Sequence, residues 1–198
     1  IDSALAAYLM MKRGCKVDFL HFHVLPSNKD VLETKIKDIV EKLKKYQNDC
    51  KLYLVPYKNY QVSTINKIPV MMEVVVFKNF MLRFSEMLSL KKGYKAIIVG
   101  DSVGQVASQT LENINSSRYG VVEVPILAPL IGYDKQEIID KAKLIGTYEN
   151  SIEKYRDCCS IIAKKPNTAV KREEVKKILR KIKVDKVIEE CFKALEAF

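Results

Sequence analysis

An α/β fold, with a mainly parallel sheet sandwiched between helices and a helical appendage at the C-terminus, is what this sequence predicts. Three observations lead there. Apolar, β-branched runs alternate with stretches whose apolar residues recur at helical spacing. The run Ala96–Val99 stops at Gly100, as a buried parallel strand does where the chain must turn at its carboxyl end. After Pro166 the composition changes, and residues 164–198 hold 11 Lys or Arg against 6 Asp or Glu with two helical patterns. The expected division is therefore residues 1–163 for the α/β body and 164–198 for a basic helical appendage packing on the sheet.

In chain order, residues 3–13 place Leu5, Tyr8 and Leu9 on one helical face, and Gly14 stops that helix. Val17–Val24 reads as a buried strand. Residues 30–46 repeat Val31, Ile36, Ile39, Val40 and Leu43 above a Lys/Glu outer face, the pattern of an amphipathic helix. Lys51–Val55 is a second strand ended by Pro56. Residues 70–90 are apolar at helical spacing. Ala96–Val99 is a third strand, and 103–114 are expected to form its helix, with Asp101 or Ser102 as the cap. Val121–Val124 reads as a short strand before Pro125. Asp134 begins another helix, with Glu137 placed to complete a capping box. In the appendage a break is expected at Val184-Asp185, with Asp185 capping the second helix.

Composition narrows the chemistry. With 198 residues and 48% hydrophobic content, the chain can bury one substantial core. No apolar run reaches the ~18 residues needed to span a bilayer. The first residues lack an initiator methionine and a charged n-region, so the chain reads as a fragment entered midway through a helix, without a signal peptide. The five cysteines stand at positions 15, 50, 158, 159 and 191, an odd number with one adjacent pair and no CxxC. That pattern argues against a secreted disulfide framework and a structural zinc site, and points to a reduced, cytoplasmic protein. The net charge of +10 suits a polyanion partner such as nucleic acid. Neither a Walker-type P-loop nor Gly-x-Gly-x-x-Gly occurs, so any nucleotide must be held by another device.

Several residues stand out against that background. Asp2 and Ser3 head the first helix, where free backbone amides suit a phosphate, although both are also ordinary helix caps. Gly100–Asn113 puts small and polar residues, among them Gln105, Ser108 and Gln109, where a core helix would carry Leu and Ile. Strand ends of this kind are where open α/β sheets bind ligands. Cys158-Cys159 follows Tyr155-Arg156-Asp157, and nearby cations would favour a reactive thiolate; a buried, inert pair is the competing reading. His21 and His23 flank Phe22 on a strand. Lys78 and Arg83 are cations on an otherwise apolar segment.

Taken together, these pieces resemble the tRNA 4-thiouridine synthetases within the PP-loop ATP pyrophosphatases. The family's loop reads Ser-Gly-Gly-Ile-Asp-Ser, and this chain starts at Ile1-Asp2-Ser3. Ala7–Gly14 is similar to the helix that follows, and His21-Phe22-His23 to the family's His-Phe-His strand. Gly100–Asn113 matches a Gly-Asp/Glu-x-x-Gly-Gln-Val-Ala-Ser-Gln-Thr-Leu-x-Asn block almost residue for residue. Pro129–Ile138, Ile145–Glu149 and Asp157-Cys-Cys159 follow in the family's order. The resemblance implies a Rossmann-like fold of the adenine nucleotide α-hydrolase type. It implies a reaction in which ATP adenylates O4 of a tRNA uridine, uridine-8, and sulfur then displaces AMP. It further implies ATP and Mg2+ as cofactors and tRNA as partner. It places adenosine contacts on His21, Phe22, Gly100 and Gln109, a phosphate cation at Lys78, the pyrophosphate beside Asp2 and Ser3, and the sulfur-carrying cysteine at Cys158. A role in thiamine biosynthesis and a homodimer are further expectations.

Departures are equally specific. The family has Arg-Pro-Leu where this chain has Ala128-Pro129-Leu130, which removes one cation. The THUMP-containing region and the rhodanese domain are absent from these residues, as in an archaeal-like form, so sulfur is expected from a cysteine desulfurase or free sulfide. Some relatives hold an iron–sulfur cluster on three cysteines; here Cys158 and Cys159 leave the third ligand open. Two alternatives stay in view: a PP-loop enzyme acting on another substrate, and an RNA-binding relative without catalysis.

Overall fold

The computed structural model describes residues 1–162 and 165–198; the boundary expected at 163/164 lies outside them. The architecture is α/β, with helices covering two small sheets built from parallel pairs. The elements in order are α1 (Asp2–Lys12), β1 (Phe19–His23), α2 (Asn28–Val31), α3 (Lys35–Leu43), β2 (Leu52–Pro56), α4 (Tyr57–Thr64), α5 (Glu73–Lys92) and β3 (Ile97–Ile98). Then come α6 (Leu111–Ser117), β4 (Ile126–Leu127), α7 (Lys135–Leu144), α8 (Tyr148–Ile152), α9 (Cys158–Ile162), α10 (Arg172–Ile182), α11 (Val184–Phe192) and β5 (Glu196–Ala197). Strand β1 runs parallel to β2 with Phe19 opposite Leu52, and β5 closes the far edge of β2 antiparallel. Strand β3 runs parallel to β4, with Ile97 opposite Ile126.

Helix α5 organises the interior because its sequence is apolar all round, which suits a helix buried on most faces. Phe77, Phe80 and Phe84 follow one another at turn spacing and are almost completely enclosed. Phe22 of β1 meets all three edge-on, with ring centroids 6.0, 5.8 and 5.3 Å away. Helices α10 and α11 bury Val175, Leu179, Val187 and Ile188 in this same core. A second cluster packs α1 against Leu130, Ile138 and Ile145.

Five expectations are corrected. Residues 103–114 do not form one helix: Gly104, at φ +77°, turns the chain, and α6 begins only at Leu111, capped by the Thr110 hydroxyl accepting from Asn113 N at 3.2 Å. Asp101 and Ser102 therefore cap nothing; Asp101 pairs with Lys78, and Ser102 donates to Tyr133 O. Val121–Val124 is not a strand, because the Glu86 carboxylate accepts the Val122 and Glu123 amides at 2.7 Å each and takes them from any ladder. The strand is Ile126–Leu127, after Pro125. The amphipathic stretch 30–46 is divided into α2, capped by Ser27, and α3, capped by Thr34. In the appendage the break falls at Lys183, whose φ of +54° ends α10, while Asp185 lies in the first turn of α11 and accepts from Arg83 at 2.7 Å.

Candidate active site

The carboxyl ends of β1 and β3, the start of α1 and the middle of α5 converge on one cavity of about 710 Å3. Asp2, Ser3, Phe22, Lys78, Gly100 and Gln109 all line it. His21 and Cys158 do not.

Gly100 is required by contact. A Cβ there would stand 2.7 Å from Ser3 N and 2.8 Å from Asp2 C, so only glycine lets the first turn of α1 lie against the end of β3. Neither Asp2 nor Ser3 caps the helix. The half-buried Asp2 carboxylate instead accepts from Gln105 Nε2 at 2.9 Å and Lys135 Nζ at 3.2 Å. The first amides of α1 have no intrahelical acceptor and carry the positive end of its dipole, the arrangement that binds a phosphate.

Lys78 reaches the cavity from α5. Its ammonium donates to Asp101 Oδ1 at 2.7 Å and Ser108 O at 3.4 Å. Arg118, outside the cavity lining, approaches the other Asp101 oxygen at 3.8 Å, so two cations surround one buried carboxylate. Gln109 contributes a buried Oε1 with no hydrogen-bond partner. An unpaired buried carbonyl is costly unless something else supplies a donor.

The adjacent cysteines point to opposite sides, since successive helical residues diverge by about 100°. Cys158 is buried and its thiol donates to Phe22 O at 3.4 Å. Burial first, then Cys159 and Asp157, hold that thiol far above the ordinary range. Cys159 lines the cavity, its residue surface open to solvent but its thiol set among the cavity walls. Burial and then Asp157 push its thiol up to about 11, while Lys78 pulls the other way. The expectation of a thiol activated by neighbouring cations is thus reversed at both positions. Asp157 holds the turn by accepting Ser160 N at 2.6 Å.

His21 turns away from the cavity to bring Nε2 within 2.9 Å of Tyr155 Oη. Burial, and then His23, lower its pKa from 6.5 to about 4. The unfolded chain therefore binds a proton between pH 6.5 and 4 that the folded chain refuses, and stability falls as pH drops through that window. The loss is of order 1–3 kcal/mol after allowing for its partial exposure. Denaturant unfolding at pH 7 and pH 4.5 should show it, and His21→Gln should flatten the difference.

A family profile described as "Thiamine biosynthesis protein (ThiI)" matches residues 1–184. The chain belongs to the ThiI family. It is 39% identical over 193 residues to a probable tRNA sulfurtransferase of Caldanaerobacter subterraneus subsp. tengcongensis, covering 96% of this chain and 50% of that protein. It is 40% identical over 175 residues to one of Thermus thermophilus, covering 88% and 43%. A crystal structure of a 4-thiouridine synthetase–RNA complex with bound ATP superposes with a TM-score of 0.90 at 32% identity, covering 100% of this chain and 52% of that one. The chain spans about half the length of the curated relatives it matches.

Within this ThiI-family chain, Asp101 lines the site and Gln105 and Lys135 hold Asp2, roles that the sequence alone does not give them, while Cys159 is legible only as half of a cysteine pair. Asp101 was legible only as a cap. Lys135 was visible as a motif residue, but nothing in the spacing says that it reaches Asp2 across more than 130 positions.

Proposed function

We propose that this chain is the ATP-consuming unit of a tRNA sulfurtransferase, which adenylates O4 of uridine-8 and exchanges that oxygen for sulfur to give 4-thiouridine. The observation that carries the reading is the cavity itself. It brings a glycine-cradled helix start, a lysine, an unpaired buried carbonyl oxygen and one accessible thiol to the strand ends. ATP fits that set. The α1 amides beside Asp2 and Ser3 donate to the departing pyrophosphate, and Lys78 supplies positive charge. Gln109 Oε1 takes a donor from the nucleotide. Phe22 forms the apolar wall.

Among the described residues no cluster of three or more His, Cys, Asp or Glu stands ready for a metal. A Mg2+ entering with the triphosphate would thus rest mainly on phosphate oxygens, with Asp2, Asp101 and Asp157 the carboxylates that line the strand-end part of the cavity. An iron–sulfur cluster finds no third cysteine there. The thiol placed to carry sulfur is Cys159 instead of Cys158, because only Cys159 opens onto the cavity. When a cysteine desulfurase is the donor, it hands sulfane sulfur to Cys159 as a persulfide, whose terminal sulfur attacks C4 and expels AMP. An external thiol then reduces the resulting disulfide and releases the thiouridine. When free sulfide is the donor, it attacks C4 directly, AMP leaves, and Cys159 carries nothing. The excess of ten positive charges supports tRNA as the substrate.

The deciding experiment uses the full-length protein with [α-32P]ATP, sulfide and tRNA. AMP release that requires tRNA, together with 4-thiouridine in the digested product, is the expected result. AMP release indifferent to RNA would instead support a PP-loop enzyme with another substrate.

A further inference from the structure

The guanidinium of Arg118 sits behind the phosphate wall with one hydrogen-bonding edge unused. Its Nε and Nη2 are both enclosed and have no hydrogen-bond partner. These two donors point the same way from the guanidinium plane and form the edge that grips a carboxylate side-on. The carboxylate in front of them is Asp101, whose Oδ2 lies 3.8 Å from Nη2. That separation is about 1 Å beyond a charge-assisted hydrogen bond. Enclosed donors without an acceptor are costly, so an edge left open in this way implies a second state in which it closes.

The backbone around Arg118 is fixed while its side chain is not. The Arg118 amide donates to Ile114 O and Asn115 O at 3.3 Å each. Buried Asn79 donates from Nδ2 to Ser117 O at 2.9 Å and to Tyr119 O at 2.7 Å, the carbonyls on either side of Arg118. Asn79 follows Lys78 on α5, so two successive residues anchor the Arg118 backbone and hold Asp101. Among the described residues, Lys78 and Arg118 are the cations within ion-pair distance of Asp101. The neighbouring strand end adds none, because the β3–β4 register brings Ala128 opposite Val99.

We infer that Arg118 is a positioning residue of the phosphate site, which takes over Asp101 when Lys78 leaves it for the triphosphate. The inference rests on the nucleotide reading of the cavity given above. In the free protein the Lys78 ammonium is committed to Asp101 Oδ1 at 2.7 Å. Its departure alone would strand a carboxylate whose side chain is only 7% exposed, and an unpaired buried charge is strongly destabilising. Closure of Arg118 by about 1 Å gives the same carboxylate two charge-assisted bonds. Arg118 lies outside the cavity lining and does not touch the nucleotide. It lowers the cost of releasing Lys78, and so sets ATP affinity through Asp101.

Calorimetric titration of the full-length protein with ATP, in the absence of tRNA, tests this as a double-variant cycle. Arg118→Met should raise the Kd for ATP at least about tenfold, because Lys78 then leaves Asp101 unpaired. In an Asp101→Asn background the same change should matter by less than about threefold, since no carboxylate is left stranded. Arg118→Lys keeps the charge without the fork and should recover part of the loss. With tRNA and a sulfur donor present, Arg118→Met should raise the KM for ATP and leave kcat within about threefold. A purely structural role would not be repaired by neutralising Asp101. A loss of affinity that persists in the Asp101→Asn background would therefore overturn the proposal, and so would unchanged affinity in Arg118→Met. If Arg118→Met does not fold, a crystal structure of the unsubstituted protein with a non-hydrolysable ATP analogue decides. Arg118 should then stand within about 3 Å of Asp101, with Lys78 on a phosphate oxygen. Lys78 still on Asp101, or Arg118 on a phosphate, would overturn the proposal and leave the nucleotide reading standing. An unsubstituted protein that binds no ATP would overturn both.

Discussion

Replacing Cys159 by serine in the full-length protein supplied with a cysteine desulfurase is expected to abolish 4-thiouridine formation, by more than about a thousandfold, with ATP binding unchanged. Cys158→Ser should leave it within about tenfold. The contrast follows from one turn of helix. Cys158 points into the core, donates to the Phe22 carbonyl and has no route to a substrate. Cys159 opens onto the same cavity as Lys78 and Gly100. Burial and then Asp157 push the thiol up to about 11, so it is protonated at neutral pH and its alkylation by iodoacetamide should keep rising well above the ordinary thiol range. Lys78→Met should slow alkylation further, since Lys78 is the group that favours the thiolate. Mass spectrometry of tRNA nucleosides and of the alkylated peptide provides both readouts. Full thiolation by Cys159→Ser, or loss confined to Cys158→Ser, would assign the sulfur to the buried position instead.

The difference between those two cysteines also marks what a sequence can say here. Cys158-Cys159 was visible as a pair, but which member faces outward depends on where a one-turn helix starts. That start is set by Asp157 accepting the Ser160 amide, a contact with no signature in periodicity. The long strands and the amphipathic helices were legible because each buries a continuous apolar face: Phe19–His23, Leu52–Pro56 and Glu73–Lys92 fall close to their expected places. Capping chemistry was equally readable at Asp134, where both halves of the box form. The errors cluster where a distant side chain captures backbone groups. Glu86 removes 122 and 123 from any ladder, and the turn at Gly104 delays α6. In the sequence Gly100 reads as a turning point, whereas its necessity lies in the approach of α1, a partner nearly a hundred residues away. The small, polar character of Gly100–Asn113 has a related cause: Gln105 holds Asp2, Gln109 presents a free oxygen, and Ser108 and Asp101 surround Lys78.

Removing the Asp101 carboxylate should cost the domain about 3–5 kcal/mol, because it strands an enclosed ammonium. The side chains of Lys78 and Asp101 are only 14% and 7% exposed, so water screens the pair weakly. Asp101→Ala leaves Lys78 with Ser108 O at 3.4 Å as its remaining acceptor, and Arg118 nearby as a second positive charge. Lys78→Met should cost less, since Asp101 keeps Arg118 at 3.8 Å. Because the two residues touch, the double variant should cost less than the sum of the singles by at least about 1 kcal/mol. Denaturant unfolding of the domain measures all three. The same pair bears on catalysis. If Lys78 is the cation that meets the triphosphate, Asp101 is its resting counter-ion, and ATP must compete for it. In Asp101→Asn the lysine faces the cavity without a carboxylate, so a bound triphosphate restores a partner that the variant lacks. Ligand that binds only the folded state stabilises it in proportion to the binding free energy. ATP should therefore raise the melting temperature of Asp101→Asn by more than that of the unsubstituted protein, and of Lys78→Met by less. Equal shifts in all three proteins would show that Lys78 takes no part in holding the phosphates and serves only as the partner of Asp101.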